Sequence, residues 1–108
     1  MVNTLSDAVS LCAEIGLGSV RVAADTYHMN IEEADPAAAL VAAAPWLGHV
    51  QASDSNRLEP GAGHLDWALL LTTLDAVDYA GWLAFECRLS GAPAAVLPRA
   101  VATLQAAL

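Results

Sequence analysis

Three apolar runs, each ending in a polar residue that carries a side-chain oxygen, constrain this chain more than any other feature. Residues 20–24 (Val-Arg-Val-Ala-Ala) lead into Asp25-Thr26-Tyr27-His28. His49-Val50-Gln51-Ala52-Ser53 leads into Asp54, and Trp82-Leu83-Ala84-Phe85 leads into Glu86-Cys87. Short runs of this kind, rich in β-branched and apolar residues, are expected to be buried parallel strands whose C-terminal ends deliver polar groups to one place. In α/β proteins chemistry is built at that end.

The segments between the runs read as helices. Leu5, Ala8, Val9, Cys12 and Ile15 fall at helical spacing, with Asn3 or Thr4 available as the N-cap and Gly16 or Gly18 as the stop. Residues 25–33 read as loop. Asp35-Pro36 supplies a cap and a first-turn proline for a helix over 37–44, which Pro45 stops. The second strand spans 47–53. The stretch 54–63 that follows is loop by its proline, glycines and Asx residues, and it is long for a connection between strand and helix. Asp66 caps a third helix from Trp67 to about Ala80, with Gly81 beyond its end. The third strand spans 82–87. A last helix runs towards Leu108, with Pro98 kinking it or marking its first turn. The fold class is α/β: about three parallel strands alternating with four helices and joined by right-handed crossovers. Three parallel strands alone leave two unpaired edges and too little cover, so the chain is expected to be part of something larger.

At 108 residues the chain fits one domain, and 56% hydrophobic against 15% charged content calls for a core. The formal charge is −8, and the only cations are Arg21, Arg57, Arg88 and Arg99. That balance gives no footprint for a phosphate backbone or an anionic membrane surface. No run approaches the roughly 18 apolar residues of a spanning helix and no cationic leader opens the chain, so a soluble, cytoplasmic protein is expected. Cys12 and Cys87 lack C-x-x-C spacing and read as small buried hydrophobes.

Asp25, Gln51 and Glu86 each stand near the C-terminal end of a predicted strand, and all three are oxygen donors suited to Mg²⁺ or Mn²⁺. His28, Arg57 and His64 lie on the connections above them. Asp25-Thr26-Tyr27-His28-Met29-Asn30-Ile31-Glu32-Glu33, then Gly48-His49-Val50-Gln51-Ala52-Ser53-Asp54-Ser55-Asn56-Arg57 with Pro60-Gly61-Ala62-Gly63, then Phe85-Glu86, resemble the sugar phosphate isomerase/epimerase superfamily. This is the xylose isomerase-like TIM barrel group that includes the ketose 3-epimerases and hydroxypyruvate isomerase. The resemblance runs along nearly the whole chain.

The resemblance implies a divalent metal, Mn²⁺ or Mg²⁺, held by four side chains from four barrel strands, with a small sugar or hydroxy-keto substrate chelated to it. Two glutamates then move a proton next to the carbonyl through a cis-enediolate. Carried over, Asp25 resembles the aspartate ligand and Glu86 the last glutamate, both ligand and catalytic acid/base. Gln51 stands where the ketose epimerases place a histidine ligand, in the manner of hydroxypyruvate isomerase. His28 and Arg57 resemble groups that bind substrate oxygens, and His64 is a further candidate for substrate contact.

The family's first metal-binding glutamate belongs to a strand before the helix that opens these residues. Because a (β/α)₈ barrel needs about 250 residues, residues 1–108 are expected to be its C-terminal segment, roughly strands six to eight. The chain alone is expected to show little or no activity, and self-association or a companion N-terminal half is expected. Two other readings stand beside this one. The chain could be a non-catalytic remnant that pairs through its strand edges. It could also be a metallohydrolase like endonuclease IV, against which three histidines and the negative charge argue.

Plainer roles exist for each residue. Asp25 could cap a turn, Gln51 could satisfy polar neighbours inside a barrel, and Arg57 could be a solvated loop cation. Glu86 after so apolar a run is costly without a cation or metal. His49 is expected to turn towards the helices, His64 could face solvent, and Glu32 and Glu33 read as a solvated face. Trp46, Trp67 and Trp82 are expected to pack between helices and sheet.

Overall fold

A computed structural model describes all 108 residues. In chain order it contains α1 (Leu5–Ile15), β1 (Val22–Asp25), α2 (Thr26–Glu32), α3 (Pro36–Ala43), a 3₁₀ turn (Ala44–Trp46), β2 (Leu47–Ala52), α4 (Trp67–Ala76), β3 (Leu83–Phe85) and α5 (Pro93–Ala106). The three strands are parallel, as the alternating pattern requires, and they lie in sequence order, β1-β2-β3. There are five helices rather than four, because the segment read as loop after β1 is helical. Asp25 ends β1 and at once caps α2, its Oδ1 accepting the His28 N–H at 3.1 Å. Thr26 Oγ1 then accepts from Ser53 N–H (3.0 Å) and donates to Ser53 C=O (2.6 Å), which pins the start of α2 to the end of β2.

The remaining caps explain the other boundaries. Thr4 closes a capping box on α1: its hydroxyl accepts from Asp7 N–H, the Asp7 carboxylate accepts from Thr4 N–H, and Gly16 ends the helix at φ +70°. Glu33, expected on a solvated face, is half-buried, and its carboxylate accepts the Leu5 N–H at 2.7 Å. Asp35 and Asp66 cap α3 and α4 as expected. Helix α4 stops four residues short of Ala80, because Asp78 takes the left-handed position at φ +57° and Tyr79 N–H and Asp78 N–H return to the carbonyls of Leu74 and Asp75. That is a Schellman stop made by aspartate rather than by Gly81. Pro93 opens α5, and Pro98 lies within it.

The helices cover one face of the sheet. Val22, Ala24, Leu47, Val50 and Ala52 pack against Leu40, Trp67, Leu70 and Leu74 among others, and only 22 of 108 residues are buried. The opposite face, carrying Ala23, His49, Gln51 and Ala84, has no layer over it. Parallel sheets are normally covered on both sides, so this one-sided arrangement is that of a barrel wall seen without the rest of its barrel.

A register shift between Val22 and Ala23 leaves Gly48 as the extra residue of β2. A Cβ at Gly48 would stand 2.8 Å from the Arg21 Cβ, so the close approach needs glycine there. The shift lets Leu47 and Val50 both face the helices. His49, expected to face them too, shares the two-residue period of Gln51 and lies on the open face instead. Trp82 is also corrected. It precedes β3 and is 82% exposed, whereas Trp67 is buried and Trp46 half-buried. Cys12 is in the core. Cys87 is half-buried, and burial together with the carboxylates of Glu59 and Glu86 pushes its thiol pKa up. No helix is long and apolar enough to cross a membrane.

Candidate functional site

Asp25 and Gln51 are direct partners across β1 and β2, and Gln51 pairs with Ala84 across β2 and β3. Glu86 lies one residue beyond β3, where its N–H donates to Ala52 C=O at 3.2 Å. Paired residues of parallel strands point the same way, and alternate residues share a face. Asp25, Gln51 and, two residues past Ala84, Glu86 therefore project from the uncovered side at the C-terminal ends of three adjacent strands. Asp25 and Gln51 are half-buried and Glu86 is exposed. Asp25 does cap a helix, but only Oδ1 is engaged in doing so.

The donor set is two carboxylates and an amide oxygen, which is the chemistry of a hard divalent cation. No three His, Cys, Asp or Glu side chains of the chain converge on one metal position. The donors fit Mn²⁺ or Mg²⁺ by type and supply part of the six-oxygen sphere such ions take.

Beside the strand ends, the structure brings His28 and Arg57 together. Arg57 Nη1 donates to His28 Nε2 at 3.0 Å. A guanidinium only donates, so this contact assigns the imidazole proton to Nδ1. The Arg57 Cζ sits 4.8 Å from the centroid of the Tyr27 ring, and Tyr27 meets His28 edge-on at 5.2 Å. Tyr27 was not singled out in the sequence, where its one signal is adjacency to His28. Arg57 C=O accepts the Arg88 N–H at 2.8 Å, tying this loop to the segment after β3.

His64 is placed elsewhere. Its side chain is exposed and lines a cavity of about 170 Å³ with Thr26, Asn30 and Asp66. Thr26 and Asn30, four apart, mark the side of α2 turned away from His28, so His64 is not gathered with the Arg57 pair.

The residue that organises the long loop is Asp54, fully buried. Its Oδ1 accepts from Ser55 N–H (2.7 Å) and Leu65 N–H (3.0 Å), and its Oδ2 accepts from Gly61 N–H (2.8 Å) and the Trp67 indole N–H (2.9 Å). Burial alone would raise its pKa, but these four donors, Trp67 first among them, outweigh it and hold the carboxyl below the ordinary range. Gly63 lies so close that a Cβ there would overlap the Asp54 carboxylate. A second buried acid, Glu59, accepts from the N–H and hydroxyl of Ser90, and these bonds hold its pKa low as well. Only the Asx and glycine content of the loop hinted at this scaffold.

Comparison with known proteins agrees with this fold. The family described as xylose isomerase-like TIM barrel matches residues 1–107. The chain is 43% identical over 89 residues to 3-dehydro-D-guloside 4-epimerase of Escherichia coli K12, covering 82% of this chain and 34% of that enzyme. It is 40% identical over 86 residues to D-psicose 3-epimerase of Enterocloster bolteae, covering 80% and 29%. Among solved structures, the apo form of 3-keto-D-glucoside 4-epimerase from E. coli superposes with a TM-score of 0.93 at 39% identity, over 98% of this chain and 41% of that one. The chain thus spans about a third of the length of the curated relatives it matches. With parallel strands, a one-sided core and the family match in agreement, the chain belongs to the xylose isomerase-like TIM barrel family.

Proposed function

We propose that this chain carries the C-terminal part of the active site of a sugar isomerase or epimerase that moves a proton on the carbon next to a carbonyl. The observation that carries the reading is the row of three oxygen-bearing side chains, Asp25, Gln51 and Glu86, at adjacent strand ends on the uncovered sheet face. The relatives support it, being named as epimerases of sugars and sugar derivatives. Asp25, Gln51 and Glu86 would hold a hard divalent cation, which when bound polarises the substrate carbonyl and so acidifies the neighbouring C–H.

In this reading the Glu86 carboxylate takes the proton from that carbon and returns one to it. Arg57, charged and already desolvated on one side by Tyr27, donates to a substrate hydroxyl or carbonyl oxygen, and His28 orients beside it. Because the donor set is partial and the sheet face is bare, the site works only when another chain or further barrel strands cover that face. A companion segment or further barrel strands would bring the second acid/base, whereas a second copy would bring only cover and its own donors.

The test is exchange of solvent deuterium onto the carbon adjacent to the carbonyl of a ketohexose, followed by NMR on monomeric and assembled fractions. Exchange is expected in the assembled fraction only, and Glu86→Gln is expected to abolish it. Exchange that survives Glu86→Gln would remove Glu86 from the chemistry, and exchange by the monomer would refute the need for assembly.

A further inference from the structure

We infer that Asp54 is the positioning residue for Arg57, so that the buried carboxylate and not the strand end itself sets where the guanidinium stands. The carboxylate gathers N–H donors from Ser55, Gly61 and Leu65 and the indole of Trp67, closing residues 54–67 into one knot. The backbone of the same residue makes the turn that carries Arg57: Asp54 N–H donates to Leu58 C=O at 2.9 Å, and Asp54 C=O accepts the Arg57 N–H at 3.0 Å. Arg57 is held at φ +64°, a left-handed conformation that a side-chain-bearing residue keeps only when its surroundings impose it. From that backbone the side chain crosses the Tyr27 ring and reaches His28.

The chemistry of the knot demands a carboxylate. Each oxygen receives two donors, and no other side chain of that size accepts four N–H groups from two oxygens. An asparagine of equal volume would turn its own N–H₂ towards one pair of donors and release it. The released pair is either Ser55 with Leu65 or Gly61 with Trp67, and either opens the loop that frames Arg57.

The inference rests on the proposed reading of Arg57 as a substrate-binding group, but its test does not. The measurement is a long-range ¹H–¹⁵N correlation of the His28 ring in the full chain in alkaline buffer, at about pH 9. The wild-type chain is expected to show one tautomer, with Nε2 unprotonated because Arg57 donates to it. Asp54→Asn is expected to leave the amide signals of β1 and β2 in place while His28 becomes a tautomer mixture. Arg57→Met is expected to do the same, and the double variant no more than either alone, since both act on one contact.

A single retained tautomer in Asp54→Asn would overturn the inference. So would a double variant whose effect adds. Should Asp54→Asn fail to fold, Trp67→Phe removes one of the four donors, and a partial loss of the tautomer is expected there; no change would overturn the inference equally. Ketose binding that is unaffected by Arg57→Met would instead refute the substrate role of Arg57 and leave the positioning result standing.

Discussion

Replacing Asp54 by asparagine tests whether one buried carboxylate holds the loop that frames the site. In the native chain its two oxygens accept from Ser55 and Leu65 on one side and from Gly61 and Trp67 on the other. Asparagine can satisfy one pair and must face the other with an N–H₂ group. Two donors, part-buried except for the buried Trp67 indole, then lose their acceptor, at up to about 1–3 kcal/mol each, for a total of at most about 4 kcal/mol. That is close to the low end of about 5 kcal/mol for the whole stability of a small domain. Urea unfolding followed by circular dichroism is the assay. With a slope of about 1.3 kcal/mol/M, the midpoint is expected to fall by at most about 3 M with the slope unchanged. Asp54→Ala, which strands all four donors, is expected to cost more than Asp54→Asn. A loss under about 1 kcal/mol, or alanine no worse than asparagine, would refute the donor counting.

Three further outcomes follow from the geometry. Thr4→Ala removes the hydroxyl that accepts the Asp7 N–H and is expected to cost about 1 kcal/mol, read as a lower melting temperature; an unchanged melt would mean that the capping box is not formed in solution. Gly48→Ala places a Cβ against Arg21 at the shifted register and is expected to cost about 1–3 kcal/mol, with faster hydrogen exchange at Ala23 and Ala24. Exchange that slows instead would contradict the contact. The carboxyls of Asp7, Asp54 and Glu59 all lie below their ordinary values of 3.8, 3.8 and 4.5. The folded state therefore binds fewer protons than the unfolded one, and the stability from these groups is full above those values and drains as pH falls through the lowered ones. The melting temperature is expected to hold between about pH 7 and 5 and to drop below about pH 4. Stability that rises on acidification would reverse the sign.

The strand ends were legible because an apolar run that stops at an acid or amide is the local signature of a parallel strand, and Asp25, Gln51 and Glu86 mark three of them. Thr4, Asp35 and Asp66 were legible as caps for the same local reason. Residues 26–32 were misread because Asp25 serves as strand end and helix cap at once, leaving no turn residues between the two elements. The end of α4 was misplaced because aspartate, not glycine, takes the left-handed stop at position 78. His49 was assigned to the helix side of β2, but it shares the two-residue period of Gln51, and Trp82, assigned to packing, stands exposed before β3. Asp54 was quoted within a motif but given no role, since its burial depends on donors up to thirteen residues away that meet only in the folded loop.

The most direct measurement is isothermal titration of Mn²⁺ into the purified chain, with size-exclusion chromatography on the same sample. Asp25→Asn is an apt variant, because asparagine caps helices as well as aspartate does and α2 should survive it. Stoichiometric binding by an assembled species, abolished by Asp25→Asn and by Glu86→Gln, is expected if the three strand ends form one cation site. Binding that ignores both substitutions, or no binding by an assembled and folded chain, would contradict it.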